Sequence, residues 1–347
     1  MRLPVSVLDL VPVGEGSDGT AAVRASLQLA RRADELGFTR YWLAEHHNMP
    51  GIASSAPAVL IAAIAAATQN IRVGSGGVML PNHAPLVVAE QFGTLGSLYP
   101  GRIDLGLGRA PGTDPHTAAA LRRAANPAAD EFPHQLGELG CFLAGEWPEG
   151  HPYGRIAAVP HAVEQPVIWL LGSSLYSAEL AGLLGMPFAF AHHFSAANTL
   201  PALATYRDKF QPSRMLDEPY AMLTVSVITA PTDDEAERIA LPAALSFLRL
   251  RQGRPGPLPS PETAAAHSWS ELERDFAAQR REGQAIGSPA TVARVLGELL
   301  DRTRPDELMI TTLVHSPADR LRSLELTRDL FDELPRGLSG AAVSTPQ

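Results

Sequence analysis

Short apolar runs alternate with amphipathic stretches along nearly the whole chain, and no other feature restricts the possible folds so strongly. VSVLDLV (5–11), RYWLAE (40–45), IRVGSGGVMLP (71–81) and RIDLGLG (102–108) read as strands. So do VIWLLG (167–172), PFAFAHH (187–193), YAMLTVSVITA (220–230) and ELMITTL (307–313). Helical patterns fall between them. The first, over 20–36, carries Val23, Leu27, Ala30, Ala33 and Leu36 at helical spacing, with Gly37 as its stop. Others cover 54–68, 85–98, 174–184, 196–210, 234–250, 289–302 and 317–334. Strands that alternate with helices build a parallel sheet. Eight such units with no linker favour a closed (β/α)8 TIM barrel over an open doubly wound sheet. A single domain over residues 1–334 is expected, and the 347-residue length suits a barrel with insertions.

The rhythm breaks twice. A polar segment over about 111–165, with a helix near 130–144 and room for a hairpin, reads as one insertion. The Pro/Gly-rich stretch that opens about 251–286 reads as a second. Both are placed to roof a pocket. Phe132, Phe142 and Trp147 of the first either contribute to an apolar pocket or form the core of the insertion itself. The Gly/Ser/Pro-rich tail, 335–347, is expected to be flexible.

Composition narrows the partners. Apolar residues make up 45 % and charged residues 19 %, a globular balance. Net charge is −9, and no run of Lys and Arg is long enough to follow a phosphate backbone, so nucleic acid is not an expected partner. The single cysteine, Cys141, leaves no internal disulfide and no Cys-based metal site. The start, MRLPVSVLDLV, lacks the form of a signal peptide, and no apolar stretch reaches the roughly 20 residues that span a bilayer. A cytoplasmic location is the expectation.

In either parallel architecture, ligands bind at the carboxyl ends of the strands. Those ends form a polar set: Asp9, Glu45-His46-His47, Gly74 to Gly77 followed by LPNH, GLGRAPG, GSS, and His192-His193. In LLGSSLYSAEL, Gly172 lets the backbone turn and Ser173 and Ser174 open a helix whose first N–H groups lack partners. A phosphate fits there, with Ser174 and Ser177 adding donors; a plain N-cap serine is the alternative. Arg109 follows the fourth strand, so in a barrel it neighbours that loop and can pair bidentately with a phosphate, or else with a carboxylate. Glycines inside the third strand suggest a bulge or the close approach of something flat; tight packing against a neighbouring strand is the alternative. GLGRAPG has the wrong spacing for a dinucleotide fingerprint. Glu45, His46 and His47 suit acid–base work or a cofactor contact better than a metal, because neighbouring imidazoles point different ways.

These residues carry a resemblance. WLAEHHNMPG, IRVGSGGVMLPNHAPLVVAEQFGTLGSLYPGRIDLGLGR and WLLGSSLYSAELAGLLGMPFAFAHHF are similar to the bacterial-luciferase-like flavin-dependent oxidoreductases, and the similarity covers nearly the whole chain. It implies a TIM-type barrel that binds FMN at the strand ends. Arg109, Ser173, Ser174 and Ser177 then match the phosphate site, and Gly76-Gly77 match a bulged, often cis, peptide under the flavin ring. His46 matches a histidine near the reactive edge, Glu45 orients it, and His192 lines the ring. The implied activity is an FMN-dependent monooxygenase that oxidises a small, apolar organic substrate with O2 through a flavin C4a-hydroperoxide. No nicotinamide fingerprint is present, so reduced FMN is expected from a separate NAD(P)H:FMN reductase. The family's usual pairing implies a homodimer through helices 54–68 and 85–98. Gly108 stands where the luciferase chain has a cysteine, so light emission is not expected. The alternatives are a deazaflavin (F420)-dependent hydride-transfer enzyme, a non-catalytic flavin-binding barrel and a metal hydrolase.

Overall fold

The structure, a computed structural model, describes residues 3–110, 112–121 and 131–333. The expected tail, 335–347, lies outside the described residues. Strand β1 (Val5–Asp9) leads to helix α1 (Gly19–Glu35), capped by Asp18, whose carboxylate accepts from the Ala21 N–H at 2.8 Å. Then follow β2 (Arg40–Leu43), α2 (Pro57–Ala67), β3 (Arg72–Met79), α3 (Pro85–Leu98) and β4 (Ile103–Gly108). The first insertion holds α4 (Pro115–Leu121) and α5 (Phe132–Ala144). The series resumes with β5 (Val167–Gly172), α6 (Leu175–Leu183), β6 (Phe188–Ala191), α7 (Thr199–Lys209), β7 (Ala221–Thr229) and α8 (Asp233–Arg251). It ends with α9 (Pro261–Ala266), α10 (Glu271–Arg281), β8 (Gln284–Gly287), α11 (Pro289–Thr303), β9 (Glu307–Thr311) and α12 (Pro317–Glu333).

Every strand pairing is parallel. The order runs β6-β5-β4-β3-β2-β1-β9-β7, and β6 pairs with β7, so these eight strands close a barrel. All eight are the strands read from the sequence. β8 is additional: it pairs only with Ser226–Thr229 of β7, beyond the part of β7 that meets β6. Four residues, Gln-Ala-Ile-Gly, carry too little periodicity to reveal a strand in advance.

Two apolar layers result. Strand faces that point outward pack against the helices, and those that point inward bring Leu8, Trp42, Trp169, Met222 and Met309 together inside the barrel. Beneath this cluster, at the amino ends of the strands, lies a buried charge network. Arg40 donates to Asp104 and Glu307, each at 2.9 Å, and Arg72 pairs with Asp104 at 2.7 Å. Trp42 Nε1 donates to Asp104 at 3.0 Å and the Tyr220 hydroxyl to Glu307 at 3.0 Å. With its charges matched, this network plugs the amino end and leaves the carboxyl end open.

The insertions follow the expected picture in part, with α5 in place of the helix read near 130–144. Phe132 and Phe142 of α5 are buried, α5 packs against α3, and Trp147 meets Phe142 edge-on at 4.7 Å. These aromatics join the barrel's outer apolar layer through α3. Among the described residues of 145–166 there is no strand, so the expected hairpin is absent. Both insertions reach the barrel mouth: in the first, the Thr113 hydroxyl donates to the His47 carbonyl at 2.8 Å, and the second arrives with Leu258. Leu258 exchanges backbone bonds with the loop after β1, donating to Val13 and accepting from Glu15, both at 2.8 Å.

Candidate active site

Two adjoining cavities open at the carboxyl end. The inner one, about 220 Å³, is lined from all eight barrel strands or the loops that follow them, from Leu8 of β1 round to Met309 of β9. The outer one, about 630 Å³, lies under the second insertion and α8, with Phe247, Leu250, Pro255 and Leu258 among its apolar walls. Leu10, His46 and Phe194 line both, so they mark the junction.

The inner cavity gathers one guanidinium and three serine hydroxyls. Arg109, Ser173, Ser174 and Ser177 all line it. Ser174 is the N-cap of α6 in an extended conformation, yet its side chain makes no bond to its own helix. The hydroxyl and the first N–H groups of α6 are therefore available, and the helix dipole adds positive potential there. Gly172 makes the close turn possible, because a Cβ on it would stand 2.2 Å from Ser177 Cβ. Arg109 has no carboxylate partner among the described residues; its guanidinium lies over the Tyr176 ring at 4.4 Å. The ion-pair alternative for Arg109 is thus removed for those residues.

The floor is the Gly76–Gly77 peptide, which is cis. The ladder with β4 slips here: Gly76 faces Gly106, but Val78, not Gly77, faces Leu107. A Cβ on Gly77 would lie 2.6 Å from the Gly106 carbonyl oxygen, and one on Gly76 2.6 Å from Leu8 Cδ1. Only glycines fit here, and without side chains they leave flat backbone facing the cavity.

The histidines divide by which way they face. His46 is held by its backbone N–H, which donates to the Ser54 carbonyl at 2.9 Å. Its Nδ1 is buried without a partner among the described residues, which leaves Nε2 as the nitrogen able to meet a ligand. Burial pushes the His46 pKa down, the Glu45 charge opposes this, and His47 reinforces it; the net shift is downward. His46 is therefore neutral at pH 7.

Glu45 is fully buried and lines neither cavity. Its carboxylate accepts from His47 Nε2 and His83 Nε2, each at 2.9 Å, from the Met79 N–H at 3.0 Å and from Asn82 Nδ2 at 3.1 Å. Burial alone would raise its pKa, but the His83 hydrogen bond and charge, the His47 bond and the Met79 N–H together hold it below the ordinary carboxylate value. With all its acceptor sites engaged, Glu45 positions the loops around His46 and does not reach a substrate.

His192 does not line the inner cavity. Its ring turns outward, with Nδ1 2.7 Å from the Thr199 hydroxyl. The neighbouring His193 takes the expected place, on the same face of β6 as Ala189 and Ala191. His193 Nδ1 donates to the Thr224 carbonyl at 3.1 Å, which fixes the tautomer and leaves Nε2 as an acceptor. Burial pushes its pKa down to about 4, against the pull of that hydrogen bond and with help from His192, Arg280 and His46. Asp9, grouped with the strand ends by sequence, also faces outward. It accepts from Ser26 at 2.5 Å and pairs with Arg320 of α12, fastening helices to β1.

The family model of luciferase-like monooxygenases matches residues 3–306. A luciferase-like monooxygenase of Escherichia coli K12 is 47 % identical over 329 residues, 95 % of this chain and 97 % of that protein. Among solved structures, apo-MsnO8 is 39 % identical, superposes with a TM-score of 0.86, and is matched over 96 % of this chain and all (100 %) of its own. The oxygenating constituent of 3,6-diketocamphane monooxygenase from Pseudomonas putida, solved in complex with FMN, shares the fold. Its TM-score is 0.71 at 20 % identity, over 96 % of this chain and 99 % of that one.

Proposed function

The chain belongs to the luciferase-like monooxygenase family, and on that footing we propose that it is an FMN-dependent monooxygenase acting on a small, largely apolar organic substrate. One observation carries the reading. A flat glycine floor and an uncompensated anion site share a single cavity, and that cavity opens past His46 into a separate apolar chamber. A ring, a phosphate and a second molecule each have a fitting place.

Arg109 and the hydroxyls of Ser173, Ser174 and Ser177 would hold the FMN phosphate, and the Gly76–Gly77 peptide would support the ring. Reduced FMN, when bound, supplies the two electrons that let O2 deliver one oxygen atom to the substrate while the other leaves as water. His46 stands where the two ligands meet and, being neutral, can give or take a proton at Nε2. His193 presents Nε2 only as an acceptor. Leu10 and Phe194 flank His46 at the junction, and with both ligands in place these side chains and the apolar walls of the outer cavity would limit water there, strengthening the polar contacts. A separate NAD(P)H:FMN reductase would provide the reduced cofactor. A homodimer is proposed through α2 and α3, which leave Val59, Val87 and Leu98 exposed; light scattering on the purified chain tests it.

The function is tested with a reductase, FMN and labelled oxygen. With 18O2 and a panel of small apolar compounds, one labelled atom should enter the product of an accepted substrate. Turnover in which hydride moves but no label is incorporated would favour the deazaflavin-type alternative and refute the proposal.

A further inference from the structure

We infer that Tyr176 is a positioning residue for the anion site, holding the Arg109 guanidinium by its face so that its edge stays free for a phosphate. This rests on the phosphate reading given above. The Arg109 Cζ lies 4.4 Å from the centroid of the Tyr176 ring. Arg109 lines the inner cavity together with Ser174 and Ser177, whereas Tyr176 does not, so the ring supports the cation without competing for its ligand. A stacked guanidinium uses its π face, while all five N–H donors lie in the plane and remain available for bidentate pairing. Tyr176 stands on the first turn of α6, between Ser174 and Ser177, so the turn that presents the hydroxyls also fixes the cation. No carboxylate does this job among the described residues, and one that did would neutralise the charge the anion needs. Ordering a long, free side chain before the ligand arrives lowers the cost of binding.

Tyr176 is 41 % exposed, so truncating it removes the stack without opening the core. The test titrates FMN and riboflavin, which differ only in the phosphate, by flavin fluorescence against wild type, Tyr176→Ala and Tyr176→Phe. FMN affinity should fall roughly two- to fivefold in Tyr176→Ala, the effect of a cation–π contact at an exposed site. Riboflavin affinity should not change, and Tyr176→Phe, which keeps the ring face, should match wild type. In an Arg109→Ala background, Tyr176→Ala should have no further effect on FMN. Unchanged FMN affinity in Tyr176→Ala, or equal losses of FMN and riboflavin, would overturn the inference while leaving the FMN site standing. A wild-type chain that binds FMN no better than riboflavin would instead remove the phosphate reading, and this inference with it.

Discussion

Glu45 and His83 meet at 2.9 Å across 38 positions of sequence, and their contact ties the loop after β2 to the turn after β3 beside the inner cavity. His47 shares the same carboxylate, so His46 is carried on a loop fastened on both sides.

Removing that fastening should disturb the rate more than cofactor binding. Glu45→Ala leaves several buried donors unmatched, at a cost of about 1–3 kcal/mol in stability. It should lower kcat at least tenfold while FMN affinity changes little, because Glu45 does not line the cavity. Steady-state kinetics with thermal melting separates the two effects. The folded pKa of Glu45 lies below its unfolded value of 4.5. Its contribution is therefore present above pH 4.5 and lost as pH falls through the folded value. The melting temperature of Glu45→Gln should depend less on pH below 4.5 than that of wild type.

His46 touches both cavities, and its replacement should fall on the chemical step. His46→Ala should reduce product formation about 100-fold or more, the scale of a lost acid–base group. FMN should still bind. Because burial holds the His46 pKa below 6.5, the wild-type rate should stay level from neutral pH down past 6.5 and drop only in more acid solution. Equal rates for His46→Ala and wild type across an accepted substrate would remove His46 from the mechanism.

His193 makes a different pH prediction. Its unfolded pKa is 6.5 and its folded value about 4, so between these values the unfolded chain holds a proton that the folded chain lacks. Stability should therefore decline as pH falls from 6.5 toward 4. His193→Asn can still donate to the Thr224 carbonyl but does not titrate. Its melting temperature should fall less steeply over that window, as calorimetry at successive pH values would report.

At the anion site, Gly172→Ala puts a methyl group against Ser177. Accommodating it requires the first turn of α6 to move, at a cost of about 1–3 kcal/mol. FMN affinity should weaken along with stability, whereas Gly137→Ala, inside α5 with open space around it, should leave FMN affinity unchanged and raise stability by about 0.5–1 kcal/mol.

The barrel was legible because parallel strands are buried on both faces and appear as continuous apolar runs. Trp42, Trp169 and Met309 lie in such runs, and each stands inside the barrel. β8 was not legible, being four residues of mixed character attached only to the end of β7. Arg109, Ser173, Ser174, Ser177, Gly76 and Gly77, far apart in sequence, line one cavity because strand ends in a barrel converge. The resemblance implies His192 at the ring, and two adjacent imidazoles give no sign of which parity faces inward. Small residues at 189 and 191 hold that sign, since the crowded interior accepts alanine where the outer layer takes Phe188 and Phe190. The partnership of Glu45 with His83 belongs to tertiary structure, and no local spacing announces it. Phe132, Phe142 and Trp147 show the same limit: an apolar residue in an insertion packs a core or lines a pocket with equal composition.

The most direct measurement is a crystal structure of the chain with FMN. The phosphate should lie within hydrogen-bonding distance of Arg109 and of the Ser173, Ser174 and Ser177 loop, with the ring resting on Gly76–Gly77 and His46 beside it. Arg109→Ala should lose roughly tenfold or more in FMN affinity, as expected for hydrogen bonds to a charged group. FMN seated elsewhere, or crystals that take up a deazaflavin but neither oxidised nor reduced FMN, would contradict the account.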